Sequence, residues 1–188
     1  MSRIAPLDPP YAADVQQHFD RIMRGKPPLV LFRMMAGHPR AWEKFRGGSL
    51  LDRGPLSLRD REIVIDRTCA LNACEYEWGV HVTAFGAAAG LSEQQVHATV
   101  HGAAGADCWS PAERALIAAV DALHAHATLS EQEYAALSAN YDDDQVLEII
   151  LLCGFYRTVS YLANALALPL EATAARFPAQ PQSFRGDA

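Results

Sequence analysis

Helix starts recur along this chain in one chemical form, a serine followed three residues later by an acidic residue or a glutamine: Ser57 with Asp60, Ser92 with Gln95, Ser110 with Glu113 and Ser130 with Glu133. A serine hydroxyl accepts a hydrogen bond from the backbone N–H three residues on. A Glu or Gln there can return to the serine's own N–H, so two of the unpaired donors at a helix start are satisfied together. Pro111, directly after Ser110, strengthens that start because proline suits the first helical position. Apolar residues then recur at helical spacing, and no alternating runs bounded by hairpin turns lie between them. The expectation is an all-α protein, and 188 residues suit one domain with one core.

Residues 11–24 read as an amphipathic helix with Val15, Phe19, Ile22 and Met23 at apolar positions, ended by Gly25 and Pro27. Residues 29–35 and 39–45 read as a short helical pair around Gly37, and Gly47 and Gly48 loosen the connection to the next helix. From Ser57 a helix runs through REIVIDRTCALNA, and a second, from about residue 75 to 89, stops at Gly90. Three further helices start at Ser92, Ser110 and Ser130. The last segment, about residues 144–168, is apolar on more than one face, which fits the centre of the core or an oligomer seam. The resulting expectation is a bundle of about eight helices in one domain, residues 11–175. A proline-rich arm, 1–10, precedes it and a flexible tail, 176–188, ends the chain.

Half of the residues are hydrophobic and a fifth are charged, which is the composition of a folded chain. The net charge of -6, with Lys and Arg scattered, would repel a phosphate backbone, so nucleic acid is not an expected partner. A membrane is not expected either. The final segment is marginal for the roughly 20 residues a span needs and holds Glu148 and Arg157, and the start, MSRIAPLDPP, has no apolar signal core. The expected location is the cytoplasm. Its reducing conditions would keep Cys69, Cys74, Cys108 and Cys153 as thiols unless a site tunes them. Cys108 and Cys153 read as packing residues, which leaves Cys69 and Cys74 with a functional question.

Chemistry concentrates in residues 62–90, EIVIDRTCALNACEYEWGVHVTAFGAAAG. Glu77 and His81, four apart, share a helix face and can present a carboxylate and an imidazole to one pocket. Glu62 can reach His81 if the two helices joined by the short connection pack as an antiparallel pair at the centre of the bundle. A carboxylate on one ring nitrogen would orient the imidazole, favour its protonated form and leave the other nitrogen to exchange protons with a substrate. The same spacing also suits a surface ion pair worth a few tenths of a kcal/mol, and Tyr76 and Trp78 suit core anchors as well as pocket walls. Cys74, near a helix start, could be activated by the helix dipole or be a small buried thiol. Glu62, Glu77 and His81 lack the paired histidines of a zinc motif, so no metal is assigned. His18, His38, His97, His101, His124 and His126 receive no role.

The stretch RDREIVIDRTCALNACEYEWGVH, succeeded by a small-residue helix and Gly-Leu-Ser, resembles the core signature of the carboxymuconolactone decarboxylase and alkylhydroperoxidase D family. The core motif spans residues 58–101. The later segments ERALIAAVDAL and QVLEIILLCGFYRTVSYLANAL resemble the longer branch of that family with the YEW-x-x-H element, so the likeness covers about residues 38–168. It implies an alkylhydroperoxidase D-like fold and assembly into trimers or hexamers. In the alkylhydroperoxidase branch a Glu precedes Cys-x-x-Cys, and a His comes four residues later. Glu62, Cys74 and His81 match those positions, whereas Glu77 stands where the more reactive thiol would be. A carboxylate cannot attack a peroxide as a thiolate does, nor close a disulfide. The decarboxylase branch acts without metal or organic cofactor on a small carboxylated lactone and needs a proton donor.

The leading expectation is therefore cofactor-free acid/base catalysis on a small carboxylated or lactone-like metabolite. In it His81 transfers the proton, Glu62 orients His81, Glu77 is a second acid/base or substrate contact, and Tyr76 and Trp78 wall the pocket. The alternatives are a peroxiredoxin-like antioxidant using Cys74, with Cys69 as a distant resolving thiol, and a non-catalytic oligomeric binding protein.

Overall fold

A computed structural model describes residues 2–179, and among them are nine α-helices and no strand. In chain order they are α1 (Ala13–Met23), α2 (Val30–Ala36), α3 (Pro39–Gly47), α4 (Leu58–Leu71), α5 (Glu75–His81), α6 (Glu93–His101), α7 (Pro111–His126), α8 (Glu131–Ser138) and α9 (Asp143–Ala165). The serines act as expected. Ser57 accepts from the N–H of Asp60, and Ser92, Ser110 and Ser130 form reciprocal boxes with Gln95, Glu113 and Glu133. Asp142 and Gln145 form a further box that starts α9. Each such cap stabilises its helix by about 1 kcal/mol.

α4 is the axle of the bundle. It packs chiefly on α7 and α9 and also on α5 and α6, so residues 62–69 are buried in unbroken succession. That burial takes in Arg67, whose guanidinium makes 2.7 and 3.1 Å bonds to the two carboxylate oxygens of Asp121 and donates to the carbonyls of Thr99 and Gly102. One guanidinium fork, with four bonds made, thereby ties α4 to α6 and α7.

α4 ends in a left-handed residue, Ala73 at φ +51°, which turns the chain back so that the N–H of Cys74 donates to the carbonyl of Cys69 at 2.9 Å. This six-to-one bond is the Schellman arrangement, and it brings the side chains on either side of the turn into contact range. The sequence predicts that α5 continues to residue 89. It is α-helical only to His81 and then widens into a π turn, Val82–Gly86, before Gly90 at φ +67° ends it.

Both chain ends are tied down where described. The backbone of Leu7 exchanges hydrogen bonds with Arg33, and Asp8 pairs with the same side chain. The C-terminal segment crosses α5: the N–H of Ala175 donates to Thr83 Oγ1 at 2.8 Å, and Phe177 packs edge-on against Trp78 with ring centres 5.1 Å apart. A Cβ on Gly79 would stand 2.2 Å from the Ala175 carbonyl oxygen, so this crossing requires glycine. The expected flexible tail thus begins with packed residues, and 180–188 lie outside the described region.

α9 is long and apolar enough to cross a membrane, but Val146, Ile149, Leu152, Tyr156, Val159, Ser160 and Ala163 are buried in the bundle. Leu147, Leu151 and Tyr161 are left exposed on its outer side.

Candidate active site

α4 and α5 run antiparallel. The end of α4 meets the start of α5 at Cys69 and Cys74, and the start of α4 meets the end of α5 at Glu62 and His81. Residues 62, 66 and 69 share one face of α4, while 74, 77 and 81 share one face of α5. The seam between the helices therefore carries two glutamates, an aspartate, a histidine and two thiols, with Tyr156 and Ser160 of α9 along its side.

At one end, Nδ1 of His81 lies 2.7 Å from Oε2 of Glu62, and Nε2 lies 3.5 Å from Oε1 of Glu77. His81 is 2% exposed and Glu62 0%, so bulk water screens neither. Burial acts to discharge the imidazole. The bonds to Glu62 and then Glu77 outweigh it and push the His81 pKa up to about 10, which makes it an imidazolium at neutral pH. Arg61 holds the other oxygen of Glu62 through Nε at 3.0 Å and Nη2 at 2.9 Å. The carboxylate is thereby fixed on both sides. The Arg61 guanidinium also sits 5.4 Å from the centre of the Phe85 ring, and Phe85 lies 5.3 Å from the His81 ring. The π turn after His81 carries Phe85, so the widened turn supplies part of the cover over the imidazole.

The other end of the seam is apolar and closed. Cys69 and Cys74 are both free and fully buried, with the Ser160 hydroxyl against both sulfurs. Helical spacing suggests that Cys69 is more than a turn away from Cys74, but the Schellman turn brings their backbones within one 2.9 Å hydrogen bond. Of the two readings of Cys74, the small buried thiol fits rather than activation by the helix start. Burial pushes its pKa up, and the N–H groups of Glu77 and Tyr76 only partly oppose that.

Tyr76 and Trp78 have their polar atoms committed away from His81. The Tyr76 hydroxyl donates to Glu171 at 2.6 Å and accepts from the N–H of Leu31, and Trp78 Nε1 donates to Thr99 Oγ1 at 2.9 Å. Both clamp α5 into the bundle. No group of His, Cys, Asp and Glu able to hold a metal ion occurs among the described residues.

Helical spacing alone does not single out Asp66, Arg61, Phe85, Tyr156 or Ser160. Asp66 is the most informative. It lies one helical turn after Glu62, is 0% exposed, and neither carboxyl oxygen has a hydrogen-bond partner. Its one signal in the sequence is an acidic residue inside the apolar run IVIDRT. The Tyr156 ring stands edge-on to His81 with centres 5.0 Å apart, four residues before Ser160 on α9.

Several solved structures share this architecture. An uncharacterized peroxidase-related protein from Silicibacter sp. TM1040 superposes with a TM-score of 0.76 at 21% identity, over 89% of this chain and 92% of that one. Another, from Ralstonia eutropha JMP134, is described as an alkylhydroperoxidase AhpD core and gives 0.71 at 21% identity, over 90% and 93%. The debrominase Bmp8 gives 0.72 at 19% identity, over 90% and 92%. Likenesses at this level of identity establish the fold. No curated protein matches the chain in sequence. The family match falls on residues 36–122, which contain α4, α5 and both members of the Glu62–His81 pair. That stretch matches the carboxymuconolactone decarboxylase family, and the described residues have the all-helical fold of the alkylhydroperoxidase D-like structures.

Proposed function

We propose that this protein is a cofactor-independent acid/base catalyst acting on a small carboxylated or lactone-like metabolite. The observation that carries the reading is the placement of His81 between two carboxylates, bound tightly by Glu62 at 2.7 Å and loosely by Glu77 at 3.5 Å. Glu62 fixes the ring and keeps its charge. The long contact leaves Nε2 as the edge where a substrate can displace Glu77.

In a decarboxylation the bond between carbon and the departing carboxylate breaks, and its electron pair stays on the substrate. The Nε2–H of His81 supplies the proton that forms the new C–H bond, and the neutral imidazole takes a proton back from solvent. Glu77 then serves as second acid/base or substrate contact. Tyr76 and Trp78 act at one remove, holding α5 and with it His81 in place through their bonds to Glu171, Leu31 and Thr99. General acid/base groups of this kind supply roughly a hundred- to ten-thousandfold in rate. We further propose a cytoplasmic homo-oligomer, a trimer or hexamer, using the exposed Leu147, Leu151 and Tyr161 on α9.

A thiol peroxidase reading is supported by the backbone contact that brings Cys69 and Cys74 together at the Schellman turn and by the peroxidase-related proteins that share the fold. Against it stand the complete burial of both sulfurs and their raised pKa values, since the thiolate is the attacking species. Incubation with a panel of carboxylated lactones, β-keto acids and hydroperoxides in deuterium oxide separates the readings. Release of carbon dioxide with one solvent deuteron in the product supports acid/base catalysis. Hydroperoxide reduction with oxidation of Cys74, and no reaction with the acids, overturns it.

A further inference from the structure

Among the described charged side chains of the seam, Asp66 is the one with neither a hydrogen bond nor an ion pair, although Oε2 of Glu77 is also buried without a partner. Arg61 and His81 bring two positive charges and contact Glu62 and Glu77, whereas both oxygens of Asp66 are buried and unpaired. A buried polar group without a partner destabilises a fold, and such groups persist where a site uses them. Its helix face is that of Glu62, and the groups that face it electrostatically are His81 on α5 and Glu62 and Cys69 on α4. With the two cations matched by two glutamates, the seam is neutral only while Asp66 keeps its proton. Burial favours that protonated form, as does Glu62, against the opposing pull of His81.

We propose that Asp66 is a further acid of this site, a neutral carboxyl that meets the substrate's oxygen and donates a hydrogen bond to the negative charge developing there while His81 protonates carbon. The inference rests on the acid/base reading above and adds a substrate class, compounds whose reacting carbon is conjugated to a carbonyl or lactone oxygen. As the electron pair is released it delocalises onto that oxygen, which accepts the Asp66 O–H without breaking it. When carbon takes its proton from His81 the charge collapses, and Asp66 retains its own. A carboxylic acid kept neutral by an apolar site is suited to this task because the donor is already oriented and dry before the reaction begins.

The test uses the full chain with ¹³C-labelled aspartate, the Asp66 carboxyl being identified by its loss in Asp66→Asn. At neutral pH the signal should be that of a protonated acid, and adding a butenolide that bears a carboxylate should move the Asp66 and His81 resonances together. On a substrate that turns over, Asp66→Leu should lower kcat on the order of a hundred- to a thousandfold. Asp66→Asn should lower it less, since its amide still donates. An ionised Asp66 overturns the inference but leaves the acid/base reading standing, as does a probe that shifts His81 and not Asp66, or full turnover in Asp66→Leu. A probe that moves neither residue overturns both. A stoichiometric divalent cation released by Asp66→Leu replaces the proton with a metal and also overturns the inference.

Discussion

Oε1 of Glu77 stands 3.5 Å from Nε2 of His81, within ion-pair range but too far for a strong hydrogen bond, although both side chains are buried on one helix face. Glu62, from the neighbouring helix, makes the short bond on the opposite side of the ring at 2.7 Å. The two carboxylates therefore divide the work, one holding the imidazole and the other lying where it can yield.

This division sets the pH behaviour. The folded-state pKa of His81 is raised from 6.5 to about 10. Its ion pairing stabilises the fold fully below the unfolded value of about 6.5 and is lost as pH rises toward 10. Thermal melts from pH 6 to 10 should show wild-type stability falling across that window, with a shallower fall in His81→Gln. Nitrogen NMR should show the His81 titration moving down further in Glu62→Gln than in Glu77→Gln. Equal shifts in the two variants would contradict the asymmetric geometry.

Asp66 gives a prediction of the opposite kind, because its raised pKa means that the fold disfavours its charged form at neutral pH. Asp66→Leu should stabilise the protein by about 1–3 kcal/mol, a gain seen as a higher denaturant midpoint, while impairing the site. A loss of stability would mean that Asp66 has a partner in solution.

How much of this is legible in the sequence depends on whether local rules decide the structure. Glu62 and His81 can be brought together on paper because helical spacing and a short connection leave few alternatives. The capping serines locate four helix starts for the same reason. Asp66 escapes notice because a lone acid in a helix ordinarily faces water, and only the burial of α4 on all sides changes its meaning. Spacing misplaces Cys69 relative to Cys74 because the Schellman turn puts an alanine, not a glycine, in the left-handed conformation. The π turn after His81 has no residue signal of its own. It is fixed by contacts between distant parts of the chain, including the crossing segment at Ala175 and the Arg61–Phe85–His81 stack.

The turn between α4 and α5 yields a stability prediction. Ala73 holds φ +51°, a conformation that costs an L residue roughly 1–2 kcal/mol more than glycine. After the greater unfolded-state entropy of glycine is allowed for, Ala73→Gly should raise stability by about 0.5–1 kcal/mol in urea unfolding. A destabilised variant would show that the Ala73 methyl group makes packing contacts that outweigh the strain.

The most direct test of the central claim is the comparison of kcat for His81→Gln and Cys74→Ser on the best substrate from the panel of carboxylated lactones, β-keto acids and hydroperoxides. The account predicts that His81→Gln loses on the order of a hundred- to ten-thousandfold in kcat while Cys74→Ser stays within severalfold of wild type. Hydroperoxide reduction that vanishes in Cys74→Ser and survives in His81→Gln would contradict it.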